Sequence, residues 1–331
     1  MYRAKLEESD QQRSEAINII QNLNKFHILR QEIRELQFTE HLLGKHNEHL
    51  KSICRNPLIA SDKNCMSIKA KEHWFYIHVL INYLKWDFKA GLKISSQYVD
   101  FMHRNIHLFD HTKTLPALSN YIFHAALTND RNHFERGKKR LLILSGIKGI
   151  PILYIKYILY NRGLEYAYYA DDKRMTEEYL ALSISLIDKY SKQYEESQIQ
   201  NLFMVIVRAS IVLKQYDKGA YYYNLWHQRG ILSYRDVQAK LFSIIIYFEL
   251  GYLDLVRSEI ILLKKLEKKY AREKMLIRTF YKFMNSVLKY PEQRNTSILS
   301  FQKDLRSISK NQKDYFIFYS FDYYQWSTSL K

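Results

Sequence analysis

The sequence predicts an all-α protein in which antiparallel helix pairs stack one upon the next. Three observations carry this. First, an aromatic or apolar residue stands three positions before a small one in Phe88-Lys-Ala-Gly91, Phe134-Glu-Arg-Gly137, Tyr216-Asp-Lys-Gly219 and, more weakly, Leu253-Asp-Leu-Val256. The step from 134 to 216 spans two units of about 40 residues, with Lys173-Arg-Met-Thr176 at the intermediate place, and a period of that size marks stacked supersecondary units. Second, the 331 residues include 9 Gly and 4 Pro, about a third of ordinary usage and too few to punctuate many short strands. Third, apolar residues run with helical spacing between short polar breaks.

Residues 1–56 read as one or two long helices with no breaker before Pro57. Ile19, Phe26 and Ile33 are spaced by seven, and so are Leu29, Leu36, Leu43 and Leu50, offset by three. This is an a/d seam. It decays where the a positions become Glu40, Asn47 and Cys54, so packing on the first pair is favoured over a homodimeric coiled coil, the alternative partner for these helices. From Ser67 onward, five pairs follow. They are expected at about 70–85 with 88–105, 115–128 with 132–145, 151–170 with 174–192, 197–214 with 217–229, and 234–250 with 254–272, broken at Trp86-Asp87, Asn129-Asp-Arg131, Asp171-Asp172, Lys214-Gln215 and Gly251-Tyr252. A helix at about 273–290 ends before Pro291, and two more, at about 293–309 and 312–330, close the chain. The expected organisation is 1–62 as a long-helix segment, 63–290 as paired helices and 291–331 as capping helices.

The recurring stretches have a packing rationale. The aromatic residue at the break fills the wedge between the helices of a pair, and the small residue in the first turn of the second helix lets the backbones approach. Gly within a helix costs about 1 kcal/mol relative to Ala, so its recurrence at Gly91, Gly137 and Gly219 indicates that close packing outweighs propensity. Phe88, Phe134, Tyr216, Leu253 and Val256 complete the set of structural positions.

At these residues, above all Leu213-Lys-Gln-Tyr216-Asp-Lys-Gly219-Ala220 and Glu249-Leu-Gly251-Tyr-Leu-Asp-Leu-Val256, the chain resembles tetratricopeptide-like α-solenoids, over roughly residues 67–290. It is a degenerate relative, similar in style to uncharacterised bacterial proteins of that class. The family's Trp-x-x-Leu-Gly start and closing Pro are absent, and the spacing is near 40 where the family has about 34. The resemblance implies a right-handed superhelical stack of about five pairs plus flanking helices, and a concave groove, lined by the first helix of each pair, that binds a protein or peptide. It places Tyr76, Tyr83, Asn161, Glu165, Asn201, Arg208 and Gln238 on that groove.

Charge and motifs bound the function further. The net charge of +17 is uneven: residues 62–150 carry 14 basic against 7 acidic groups, and 241–331 carry 16 against 9. Nucleic-acid binding through those segments, with Lys138-Lys-Arg140 and Lys264-Lys265…Lys268-Lys269 as the clusters, is therefore the second expectation. A third is a peptide-responsive regulatory solenoid read out by residues 1–56. His103, His107 and His111 are spaced by four beside Asp110, but they lack the Glu of a zinc-binding helix. His46-Asn-Glu-His49 is weaker still. The carboxylate pairs Asp171-Asp172, Glu177-Glu178 and Glu195-Glu196 read as helix N-terminal residues. No phosphate loop or nucleophile elbow is present, so no catalytic residue, cofactor or metal is expected and the chain is read as a non-enzyme. Two cysteines, Cys54 and Cys65, do not make a disulfide framework. With no apolar leader at the start and no apolar run long enough to span a bilayer, a soluble cytoplasmic protein without membrane partners is expected.

Overall fold

The computed structural model describes residues 2–39, 46–109, 111–231, 235–270, 273–310 and 321–330. Among them are fifteen α-helices and no strand. In chain order these are α1 (Tyr2–Thr39), α2 (His46–Arg55), α3 (Ile68–Leu84), α4 (Phe88–Arg104), α5 (His111–Leu127), α6 (Arg131–Ser145), α7 (Ile152–Tyr169) and α8 (Lys173–Tyr190). They continue with α9 (Glu196–Val212), α10 (Tyr216–Gln228), α11 (Asp236–Glu249), α12 (Leu253–Leu266), α13 (Lys274–Lys289), α14 (Arg294–Ser309) and α15 (Tyr323–Thr328). No described helix is long and apolar enough to cross a membrane.

Five connections use one and the same turn. A residue with positive φ ends the helix at Trp86 (60°), Asn129 (50°), Asp171 (52°), Lys214 (57°) and Gly251 (75°). Its N–H donates to the carbonyl three residues back, and the next N–H reaches five residues back, as in Asp87 to Asn82 at 3.0 Å, Asp172 to Ala167 at 3.0 Å and Tyr252 to Tyr247 at 2.8 Å. This is the Schellman closure, which satisfies carbonyls that a helix end would otherwise orphan. The residue making the longer bond is also the N-cap of the following helix. At Asp87, Asp130 and Asp172 its carboxylate accepts from the third N–H of that helix, at 2.9–3.0 Å. One helix therefore stops and the next starts with no linker between them. The turns are spaced 43, 42, 43 and 37 residues apart. All five fall at the breaks expected from the sequence.

The caps also correct the alignment of the recurring stretches. The fourth residue of each following helix donates the first intrahelical bond back to the cap, and this position holds Gly91, Phe134, Thr176, Gly219 and Val256, all of them buried. Phe134 thus stands where Gly91 and Gly219 stand, and Gly137 lies a turn deeper than its sequence match suggested. Nor does each glycine serve only its own pair. A Cβ at Gly91 would run into the His124 ring of α5, the first helix of the next pair, whereas one at Gly137 would strike Ile122 of its own partner α5. Gly219 faces Ile246 of α11 and Ser210 of α9. Gly163, within α7, lies against the Tyr179 ring of α8, a close approach that no periodic pattern marks. Phe88 is buried and Tyr216 half-buried, but Leu253 is 43 % exposed and fills no wedge.

The described residues form two compact units, one up to Arg162 and one from Gly163 onward, so the division falls inside α7. In the first unit, α1 packs on α3, α3 on α4, α4 on α5 and α5 on α6. The seam residues Phe26, Leu29, Ile33 and Leu36 are buried against Ile77, Leu80 and their neighbours, which makes α1 part of this core. Ile19, at the start of the seam, is exposed, as are Ile17 and Ile20, and Leu43 lies outside the described residues. In the second unit, α8 packs on α9, α9 on α10, α10 and α9 on α11, α11 on α12, α12 on α13, and α13 on α14. Contacts run mainly between chain neighbours in each unit.

Several local expectations change. Pro116 lies inside α5, past its first turn, so the helix forgoes the bond residue 116 would donate. The histidines do not share a helix: α4 ends at Arg104, a 3₁₀ turn spans Ile106–Leu108, and α5 begins at His111. Asp110 lies outside the described residues, as do the side chains of His46 and His111. Glu195 forms a capping box with Gln198 at the start of α9, while Glu177 and Glu178 lie past the first turn of α8. Of the helix expected at 312–330, residues 311–320 lie outside the described set and the remainder holds α15.

Two sets of substitutions test this account. Gly91→Ala and Gly163→Ala are expected to destabilise by about 1–3 kcal/mol through overpacking, although Ala has the better helix propensity; urea unfolding measures the sign. At the turns, Lys214→Gly is expected to stabilise by roughly 0.5–1 kcal/mol by relieving a left-handed residue, and Gly251→Ala to destabilise by about as much. Paired thermal melts decide this.

Candidate binding site

The residues assigned to a groove fall into two environments. In the first unit, Tyr76 is half-buried beneath the Arg30 guanidinium of α1, 4.3 Å from its ring centre. Arg30 also reaches Glu72 at 2.8 Å, and Glu72 accepts from the Tyr98 hydroxyl at 2.5 Å and pairs with His73 at 3.0 Å. Burial opposes the charge on Glu72, yet the His73 hydrogen bond, the Arg30 charge and the Tyr98 hydroxyl outweigh it and hold the carboxyl below its ordinary range. Tyr83 packs between Trp86 and Phe123, at 5.9 and 5.7 Å. Asn161 is buried, with its amide oxygen 3.5 Å from Arg162.

In the second unit, Glu165 and Arg208 are buried. The Arg208 guanidinium lies 4.5 Å above the Tyr168 ring, a cation–π contact worth more when desolvated. Asn201 accepts a hydrogen bond from Arg235. Gln238 is half-buried, and its Nε2 has no hydrogen-bond partner among the described residues. Helices α9 and α11 are buried on nearly every side, from Leu202 to Ile211 and from Leu241 to Phe248. Helices apolar all round are core helices. The positions sequence reasoning selected are therefore largely covered, and none of the seven is fully exposed.

The second unit also holds residues 321–330, a segment in which sequence reasoning singled out nothing, packed on α7, α11 and α13. Phe321 packs on Phe242 of α11 with ring centres 5.5 Å apart. The Asp322 N–H donates to the Tyr168 hydroxyl at 2.6 Å. Trp326 stacks parallel to Phe280 of α13 at 5.9 Å, and its Nε1 donates to Glu249 of α11 at 2.8 Å. Glu249 is shared, since Tyr216, the aromatic residue of a recurring stretch, hydrogen-bonds it as well. Burial and then the Glu249 charge push Tyr216 up to about 12. Burial does the same to Tyr168, to about 12, against the pull of Arg208. Both phenols stay protonated at neutral pH and act as hydrogen-bonding groups. The only sequence signal for this site was the aromatic density of Phe321-Asp-Tyr-Tyr-Gln-Trp326.

Beside the segment lies a cavity of about 520 Å³, walled by Tyr168, Thr176 and Val212 on one side and by Arg306, Asp322 and Tyr324 on the other. The basic clusters are largely engaged elsewhere. Lys138 pairs with Glu135 at 3.8 Å, Arg140 with Asp100 at 2.8 Å and Lys269 with Asp236 at 3.3 Å, while Lys264 lies 4.4 Å above the Tyr281 ring. Among the described residues, no group of three or more His, Cys, Asp or Glu side chains is arranged to hold a metal.

The chain is thus an all-helical protein with one turn used five times and a face covered by its own residues. No family model matches it, and no curated protein matches it.

The Glu72 cluster carries a pH prediction. A carboxyl held below its unfolded value contributes stability that is complete above the ordinary carboxylate range and is lost as pH falls through the lowered native value. Glu72→Gln is expected to cost roughly 1–3 kcal/mol at pH 7. Urea unfolding of both proteins from pH 7 to 3 should show their difference shrinking as the wild-type carboxyl takes up its proton.

Proposed function

We propose that this chain is a non-enzymatic helical-repeat scaffold of the tetratricopeptide-like kind that binds a protein or peptide partner along the first helices of its pairs. The recurrence of one turn at intervals of 43, 42, 43 and 37 residues carries the reading. Identical turns with caps at identical places repeat the same hairpin, and such arrays offer extended surfaces for extended partners. Packing between chain neighbours within each unit supports it, because each hairpin then buries its apolar sides against the next. Half-buried Tyr83, Asn201 and Gln238 supply amphipathic and amide groups of the sort that recognise peptide backbone.

Capture from the native host by the wild type and by a Tyr83→Ala, Asn201→Ala, Gln238→Ala variant tests the proposal. Arg208 is left intact because its burial over Tyr168 makes its removal a folding change. The expected outcome is a stoichiometric partner that the variant loses while keeping its melting temperature. Identical partner profiles would remove these faces from the argument.

A further inference from the structure

We infer that the face holding residues 321–330 is a peptide-binding surface occupied in cis, whose partner is a short segment of the same chemistry: an aromatic residue, an Asp that caps a six-residue helix, and a Trp four positions after the Asp. This deepens the scaffold reading and rests on it.

The segment is held as a docked peptide is held. Aromatic anchors enter ring-lined places: Phe321 on Phe242, Tyr323 on Phe280 at 5.3 Å and Trp326 on Phe280 and Phe301. Aromatic anchors of this kind dominate the energetics of recognition surfaces. The backbone is read too, through the Asp322 N–H on Tyr168 and through the Ser327 carbonyl, which accepts from Gln302 Nε2 at 3.0 Å. Asp322 accepts from the Gln325 N–H at 2.8 Å and so caps α15. A six-residue helix does not persist alone in water, so α15 takes its shape from the surface beneath it. That surface is assembled from several hairpins: Tyr168 lies in the last turn of α7, Glu249 ends α11, and Phe280 lies in α13. Residues 154 apart in the chain meet there. The segment also stands outside the recurring turn, which last occurs at Gly251.

The adjoining cavity gives an incoming segment a foothold. It continues the face past Tyr324, and its wall carries Lys173 and Arg306 together with Asp171 and Asp322, so an incoming segment meets partners for charges of both signs. A segment that first enters this cavity can then displace Phe321 and Trp326 stepwise.

The test uses the full chain and a fluorescein-labelled synthetic peptide, Phe-Asp-Tyr-Tyr-Gln-Trp-Ser-Thr, read by anisotropy. A Phe321→Ala, Trp326→Ala variant weakens the internal occupant. It is expected to bind the peptide on the order of tenfold more tightly than the wild type, since a tethered competitor acts at a millimolar effective concentration. Adding Glu249→Gln should lower that affinity, as should replacing the peptide's Trp by Ala. Equal peptide affinity in wild type and variant would overturn the inference. So would loss of cooperative melting in the variant, which would make the segment part of the core. If either occurs while the host partner is still captured through Tyr83, Asn201 and Gln238, the scaffold reading stands and only this partner chemistry falls.

Discussion

The constraint on which the structure depends is the closure of a helix end. An α-helix leaves carbonyls without partners at its end, and they must be satisfied within the chain or by water. Here one left-handed residue and two backbone bonds satisfy them within three residues, and the next helix begins at once from the same residue that makes the second bond. The direction of the following helix is set by backbone geometry, with no flexible linker to blur it. Trp86, Asn129, Asp171 and Lys214 accept a conformation that glycine would adopt more easily, at about 1–2 kcal/mol each. At each of them the two backbone bonds of the closure offset that cost.

From that closure the packing follows. The fourth residue after each cap faces inward, and what occupies it depends on what approaches. Gly91 admits the His124 ring, Phe134 fills space itself, and Val256 is fully buried. The same position therefore carries different residue types for one geometric reason, which is why a pattern of aromatic and small residues was an imperfect signal. His124 shows the tension such packing creates: burial lowers its imidazole to about 4, so it remains neutral in the core while its ring wedges against Gly91.

In the second unit a further set of contacts joins this framework to residues 321–330. Tyr216 sits beside a recurring turn and bonds Glu249, and Glu249 holds Trp326. A residue of a recurring stretch thus shares its hydrogen-bonding partner with Trp326. The Tyr168 hydroxyl accepts there from the Asp322 N–H, and the aromatic rings supply the contact area.

Helix type, the five breaks and the seam of α1 were legible in the sequence because each depends on neighbours in the chain: spacing of apolar residues, Asp at the caps, scarcity of Gly and Pro. Phe26, Leu29, Ile33 and Leu36 were expected to pack inward, and they do. The phase of the Phe134 stretch, the close approach at Gly163 and the cover over Arg208 and Glu165 were not legible. Which side of a helix meets another element depends on residues tens to hundreds of positions away, and periodicity carries no information about them. Local order was written in the chain, whereas the identity of what lies against each face was decided only when segments as distant as Tyr168 and Asp322 came together.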